Sequence, residues 1–123
     1  MIIVPQFLLR RLYVKGSLRN NDQGFQFELK NSLGSGYGKE LLPITLDGEE
    51  VPREHSYFNL GEDNIPFPAV SDENPFTLKM NKIAKIIVHG ITLKEGPHKI
   101  RFSFVAQGIG KLAFEVTDQV SAG

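Results

Sequence analysis

Leu93-Lys94-Glu95-Gly96-Pro97-His98-Lys99-Ile100-Arg101-Phe102-Ser103-Phe104 sets a turn signal before a strict alternation of apolar and polar residues. His98, Ile100, Phe102 and Phe104 fall on one face and Lys99, Arg101 and Ser103 on the other, the period of two that a pleated strand with one wet face requires. Two phenylalanines and an isoleucine on one face need an opposing apolar layer, so a second sheet or a helix face has to cover them.

The same alternation spreads outward in both directions. After the turn Gln107-Gly108-Ile109-Gly110, Leu112, Phe114 and Val116 alternate with polar or small residues and predict a closing hairpin. Upstream, Lys82 to His89 carries Ala84, Ile86 and Val88 on one face and Ile83 and Ile87 on the other, which predicts a central strand or one at an interface. Ile44-Thr45-Leu46, Asp47-Gly48 and Val51-Pro52 read as strand, tight turn and short strand, because Asp-Gly supplies the positive φ such a turn demands. Near the amino end, Leu12, Val14 and Leu18 alternate with Tyr13, Lys15, Ser17 and Arg19, predicting a first strand with Tyr13 on its polar face and a bulge at Gly16. The turn residues Arg19 to Gly24 join it to a second strand with Phe25, Phe27 and Leu29. Tyr57 to Leu60 predicts a further strand. From Gly61 to Asn81 three prolines (Pro66, Pro68, Pro75) remove ladder donors, leaving a long loop with extended pieces around Phe67 and Phe76-Thr77-Leu78. No segment sustains a 3.6-residue apolar period. The expectation is an all-β, two-sheet β-sandwich of immunoglobulin-like or jelly-roll type, seven to nine strands, in one domain over residues 1–123.

The totals narrow the function classes. A chain of 123 residues supports one core, and 41% hydrophobic with 23% charged residues is a globular composition. Lys plus Arg equals Asp plus Glu at 14 each, so there is no bulk positive field for nucleic acid or an anionic membrane. The absence of cysteine removes disulfides, thiolate catalysis and Cys-bearing metal motifs. The apolar amino end is interrupted by Pro5 and Gln6 and followed by its basic residues, the reverse of a signal peptide, and a cytoplasmic protein is expected.

Catalytic constellations do not assemble in the pattern. Of His55, His89 and His98, none belongs to an HxH or HExxH motif, and His98 reads as a core or strand-end histidine with a satisfied ring nitrogen; no metal site is expected. Leu33-Gly34-Ser35-Gly36 lacks the preceding glycine of a nucleophile elbow and the lysine spacing of a phosphate loop. No catalytic residue is assigned. What stands out is apolar material in loop context: Ile65 to Phe76, with Phe67 and Phe76, and the glycine loop with Gly36, Tyr37 and Gly38. These five residues are the candidates for partner or ligand contact, and for the two phenylalanines the competing reading is a core lid.

Read in order, Gly16-Ser17-Leu18-Arg19-Asn20, Gly24-Phe25-Gln26-Phe27, Tyr37-Gly38, Ile44 to Pro52 and Leu93 to Phe104 resemble the small β subunit of bacterial C-glycoside deglycosidases. That resemblance implies a chain not catalytic alone, an accessory subunit of a carbon-carbon or glycosidic bond lyase in carbohydrate metabolism. It would dock on a sugar-isomerase-like TIM-barrel subunit, with no cofactor in this chain and any divalent metal in the partner. The alternative is a stand-alone β-sandwich binding or oligomerisation module. The expected partner is protein, in a hetero-oligomer or, under the alternative, a homo-oligomer; nucleic acid and membrane are not expected.

Overall fold

The computed structural model of the chain describes residues 4–34 and 36–120. One antiparallel sheet runs in the order β1 (Arg19–Asn20), β2 (Gly24–Lys30), β9 (Ile83–His89), β6 (Ser56–Asn59), β7 (Ile65–Pro66). The other runs β5 (Glu49–Glu50), β4 (Thr45–Leu46), β10 (Gly96–Ala106), β3 (Tyr37–Leu41), β8 (Phe76–Thr77), with β11 (Gly110–Val120) also paired to β10. The chain is an all-β sandwich, with the organising stretch at the centre of its second sheet. At eleven residues β10 is long enough to hold β4 and β3 in tandem along one edge, Ile100 opposite Leu46 and Phe104 opposite Leu41. Between those two short strands stands Pro43, which has no N–H to give to a ladder. The other edge of β10 takes β11 in unbroken register from Gly96↔Val120 to Ala106↔Gly110.

The inward faces meet as the alternation requires. Phe25, Phe27, Ile86 and Val88 of the first sheet and Ile100, Phe102 and Phe114 of the second are essentially sealed from solvent. Phe102 is the hub. Phe27 and Phe67 stand edge-on to it at 6.4 and 6.3 Å, and Phe114 lies at 5.9 Å. Each such ring contributes roughly 1.5–3 kcal/mol by leaving water, beyond the edge-to-face preference of aromatic pairs. Asp47 and Gly48, both at positive φ, make the tight turn between β4 and β5 that Asp-Gly predicts. β9 takes the central place between β2 and β6, and of the apolar residues on its second face Ile87 is buried while Ile83 is exposed.

The first predicted strand is corrected. Gln6–Leu9 form a short helix (α1), Arg10–Leu12 a 3-10 turn, and Tyr13 makes only one isolated bridge, to Leu29. Only Arg19–Asn20 pair as a strand. Leu12 is half-buried against the core, and Val14 stands outside it. The physical reason is a competing acceptor: the N–H groups of Gly16 and Leu18 go to the Asp118 carboxylate at 3.0 and 3.4 Å instead of to a neighbouring strand. Tyr13, expected on a wet face, is buried and donates its hydroxyl to the same oxygen at 2.6 Å. Eleven strands appear among the described residues, above the expected seven to nine, because five of them are two-residue pieces too short to leave an alternation in the sequence. Among the described residues no helix is long and apolar enough to cross a membrane.

Candidate functional site: an apolar cavity between the sheets

At one end of the sandwich the sheets part around a cavity of about 240 Å³. Phe102, Leu29 and Leu41 form its inner wall, Phe76, Phe104 and Leu112 its sides, and Val4, Leu9 and Leu12 of the amino-terminal segment its cover. The periodicity of the strands accounts for the apolar lining, since β10 contributes the alternate residues Phe102, Phe104 and Ala106, and β2 and β11 one inward residue each, Leu29 and Leu112.

Asn31 builds the rim. Buried directly after β2, it donates Nδ2 to the carbonyls of Gly34 and Leu78 at 2.6 and 2.7 Å and accepts from the N–H groups of Leu33 and Gly34. Its backbone carbonyl takes the Asn81 N–H at 2.7 Å. With both donors and its acceptor oxygen used, Asn31 fastens the glycine loop to the segment before β9 and presents no unpaired polar atom to the cavity. The space therefore stays apolar although an amide lines it.

Three of the five contact candidates meet at this cavity mouth. Tyr37 is 43% exposed there, with Gly36 exposed and Gly38 buried beside it. Neither glycine is needed by packing within the chain: a Cβ at Gly36 would meet nothing within 4 Å, and one at Gly38 would make ordinary contact with Phe104 at 3.7 Å. Both phenylalanines are buried, as the core-lid reading has it, and Phe76 also lines the cavity. Phe67 is fully buried edge-on to Phe102, and Phe76, 7% exposed, lies 4.8 Å from the Phe58 ring and forms part of the cavity wall. The proline loop that carries them is folded in: β7 pairs with β6, a 3-10 turn over Phe67–Ala69 drops Phe67 between the sheets, and β8 pairs with β3. Leu33 and Ile109, 39% and 42% exposed at the mouth, were not among the candidates. Each sits in a turn beside glycine, where an apolar residue has no strand face to explain it, and that was the available signal.

Away from the cavity, His98 and Asp47 serve the fold. His98, at the start of β10, holds Nδ1 2.7 Å from Asp47 Oδ2 and Nε2 2.7 Å from the Lys94 carbonyl, so both ring nitrogens face acceptors. Asp47 Oδ1 accepts the Lys99 N–H, and together these bonds clip the β4–β5 turn to β10. Only the imidazolium donates to both acceptors. The Asp47 hydrogen bond, then the Lys94 carbonyl, raise the His98 pKa against the opposing effect of burial. The His98 hydrogen bond likewise leads in lowering that of Asp47. A raised histidine pKa contributes stability that is complete below the unfolded value of about 6.5 and is lost as pH rises through the folded value. The melting temperature should therefore fall as pH rises from about 6.5 through the raised folded value, and His98→Ala should flatten that fall; equal slopes in the two proteins would remove the clip. Among the described residues no three His, Asp or Glu side chains stand together as a metal site.

A family model described as hydroxymethylglutaryl-CoA reductase, N-terminal domain, matches residues 8–121. The chain belongs to that family. No curated protein matches it. The match runs from α1 to just past β11 and so takes in the cavity and the proline loop alike. It overturns the resemblance to the C-glycoside deglycosidase β subunit, and with it the accessory role in carbohydrate metabolism and the docking on a sugar-isomerase-like barrel. The residues that carried the resemblance have structural explanations: Asp47-Gly48 is a tight turn, His98 is clipped to it, and Gly24 lies against the backbone of β9. Turn and packing constraints of this kind recur in sandwiches of unrelated descent, which is why those short motifs misdirected the assignment.

Proposed function

We propose that this chain is a non-catalytic binding domain of the reductase N-terminal-domain family, one that holds an apolar group in the cavity between its sheets. The observation that carries the proposal is the convergence of exposed apolar side chains, Leu33, Tyr37 and Ile109, on the mouth of a cavity whose wall is itself apolar. Exposed apolar residues scattered singly need no explanation, whereas a cluster around a concavity marks a binding surface. At about 240 Å³ the space exceeds the ~150 Å³ apolar cavity that stays dry and takes up benzene. The family description, a domain of a reductase, supports a role within an assembly, whose partner would be the remainder of such an enzyme.

A neutral fluorescent probe such as N-phenyl-1-naphthylamine tests the reading. Ala106 lines the cavity and is nearly buried, so Ala106→Phe places a ring in the space, while Ile109→Asp puts a charge at the mouth without touching the core. The wild-type protein should bind the probe saturably and each variant about tenfold less, a change of ~1.4 kcal/mol. Probe binding unchanged in both folded variants, or absent from the wild type, would sink the proposal.

A further inference from the structure

The strands that end a sheet differ sharply in length. Among the described residues β1, β7, β5 and β8 are two residues each, and β7 contains Pro66. Short edges and prolines give another chain little to pair with. β11 is the exception: eleven residues without proline, in unbroken register with β10 on one side and with no strand on the other. The direction of its backbone groups follows from its neighbours. Lys99 and Ser103 of β10 turn their carbonyls away from β11, to the N–H groups of Asp47 and Leu42 at 2.9 and 3.1 Å. Backbone groups alternate sides along a strand, so Ile100, Phe102 and Phe104 face β11 and bond Val116, Phe114 and Leu112. Lys111, Ala113, Glu115 and Thr117 therefore turn theirs to the open edge. The Glu115 carbonyl accepts Arg10 Nε there, at 3.0 Å in an exposed bond, and among the described residues the other outward groups of residues 111–117 have no partner. The amino-terminal segment lies on the core side of this edge, with Leu9 and Leu12 in the cavity and Tyr13 reaching inward to Asp118.

We infer that this edge is the contact between two copies of the chain, β11 against β11 in antiparallel register about a two-fold axis at Ala113. A two-fold axis sets each residue against one equally far beyond it in the other copy. Lys111 then meets Glu115 of the second copy, and Glu115 meets its Lys111. Both charges are available for this: among the described residues neither is in an ion pair, although Arg101 stands opposite Glu115 on β10. Within one chain they lie four residues, about 14 Å, apart along the strand, too far to pair with each other. Facing opposite charges favour a strand pairing and facing like charges oppose it. An axis at Glu115 would set that carboxylate against its own copy, and an axis at Phe114 or Val116 would leave Glu115 with no cation opposite. The Ala113 register also stops short of Gln119, whose N–H already goes to the Asp118 carboxylate at 2.8 Å. Residues 110–116 of each copy pair through about six backbone hydrogen bonds, the N–H of the second copy's Lys111 taking the Glu115 carbonyl in place of Arg10. The second sheets of the two copies become one continuous sheet. This contact is independent of what the cavity holds.

Sedimentation velocity of the intact chain at low ionic strength, from about 5 to about 500 μM, tests the pairing. The wild type should pass from monomer to dimer within that range. Lys111→Glu and Glu115→Lys should each weaken the dimer about tenfold, because each sets like charges against one another twice across the axis. The variant carrying both replacements should recover association, since the pairs are restored with their signs exchanged. Ala113→Pro removes an N–H that β10 does not use, so it should abolish the dimer while leaving circular dichroism and the melting temperature of the dilute monomer unchanged. Should that variant fail to fold, the charge series decides alone. A wild type still monomeric at the highest concentration would overturn the inference and leave the edge to a strand of some other protein. A dimer indifferent to the single replacements would place the contact elsewhere and overturn it as well. Weakening by each single charge replacement without recovery in the double variant would refute the axis at Ala113. Failure of probe binding would sink the cavity reading and not this one.

Discussion

Asp118→Ala should lower the unfolding free energy by about 3–5 kcal/mol, among the largest losses open to a single substitution in this chain. Asp118 is 8% exposed on the inward face of β11. One of its oxygens accepts the Tyr13 hydroxyl and the N–H groups of Gly16 and Leu18, and the other accepts the Gln119 N–H at 2.8 Å. Removing the carboxylate leaves a buried phenol and backbone donors without an acceptor, and it releases the amino-terminal segment that covers the cavity. Tyr13→Phe takes away one bond and leaves the carboxylate with its backbone donors, so its loss should be about 1–2 kcal/mol. Burial acts to raise the Asp118 pKa, but the hydrogen bonds from Tyr13 and the three backbone N–H groups outweigh it and hold the group below the usual carboxylate range. A depressed carboxyl contributes stability that is present above its unfolded value and is lost as pH falls through its folded one. The gap between wild type and Asp118→Ala, measured by urea unfolding, should therefore be constant near neutrality and close in acid. Burial and the adjacent carboxylate raise the Tyr13 hydroxyl, so its contribution is present below the unfolded tyrosine value and is lost only in strong alkali. An Asp118→Ala variant as stable as wild type at neutral pH would mean the cluster does not hold the segment.

Gly24→Ala should cost about 3 kcal/mol, through backbone collision and not through conformational freedom. A Cβ at this position would lie 2.0 Å from the Val88 carbonyl oxygen and 3.1 Å from the His89 Cα, all backbone of β9. Nothing flexible can move aside. The strands would have to separate where Gly24 pairs with His89, next to the turn in which Asn21 Oδ1 accepts the N–H groups of Gln23 and Gly24. Gly36→Ala is the matched control, because a Cβ there meets nothing within 4 Å and its stability should stay within about 0.5 kcal/mol of wild type. Thermal unfolding of the two variants should differ by roughly 10 °C. Equal midpoints would show that β2 and β9 can part at this point without loss.

The sequence carried some of the site and withheld the rest for identifiable reasons. Tyr37 and its flanking glycines drew notice as apolar and flexible material in one loop, and they do stand at the cavity mouth. Phe67 and Phe76 drew notice in the same way and are buried, Phe76 against the cavity and Phe67 in the core, because a proline-rich loop can be extended outward or folded inward with the same local preferences. Asn31 could have been read as an Asx turn opening the glycine loop, since the side chain accepts from residues two and three positions on. Asp118 could have been found by carrying the alternation of Leu112, Phe114 and Val116 one step further, which puts a carboxylate in an inward slot. Its partners lie some hundred residues away, and no local pattern names them.

By itself the sequence determined the sandwich, the central β10 and the inward faces of its longer strands, because a period of two over five or more residues leaves few other ways to bury so many apolar side chains. It also determined the tight turn at Asp47-Gly48, a property of the local backbone. The tertiary structure alone decided that residues 10–18 abandon a strand to satisfy Asp118, that the proline loop closes over the core, and that four separate segments meet around one cavity. Those outcomes depend on which distant group offers the better acceptor or the emptier space, and that competition is settled only when the chain is folded.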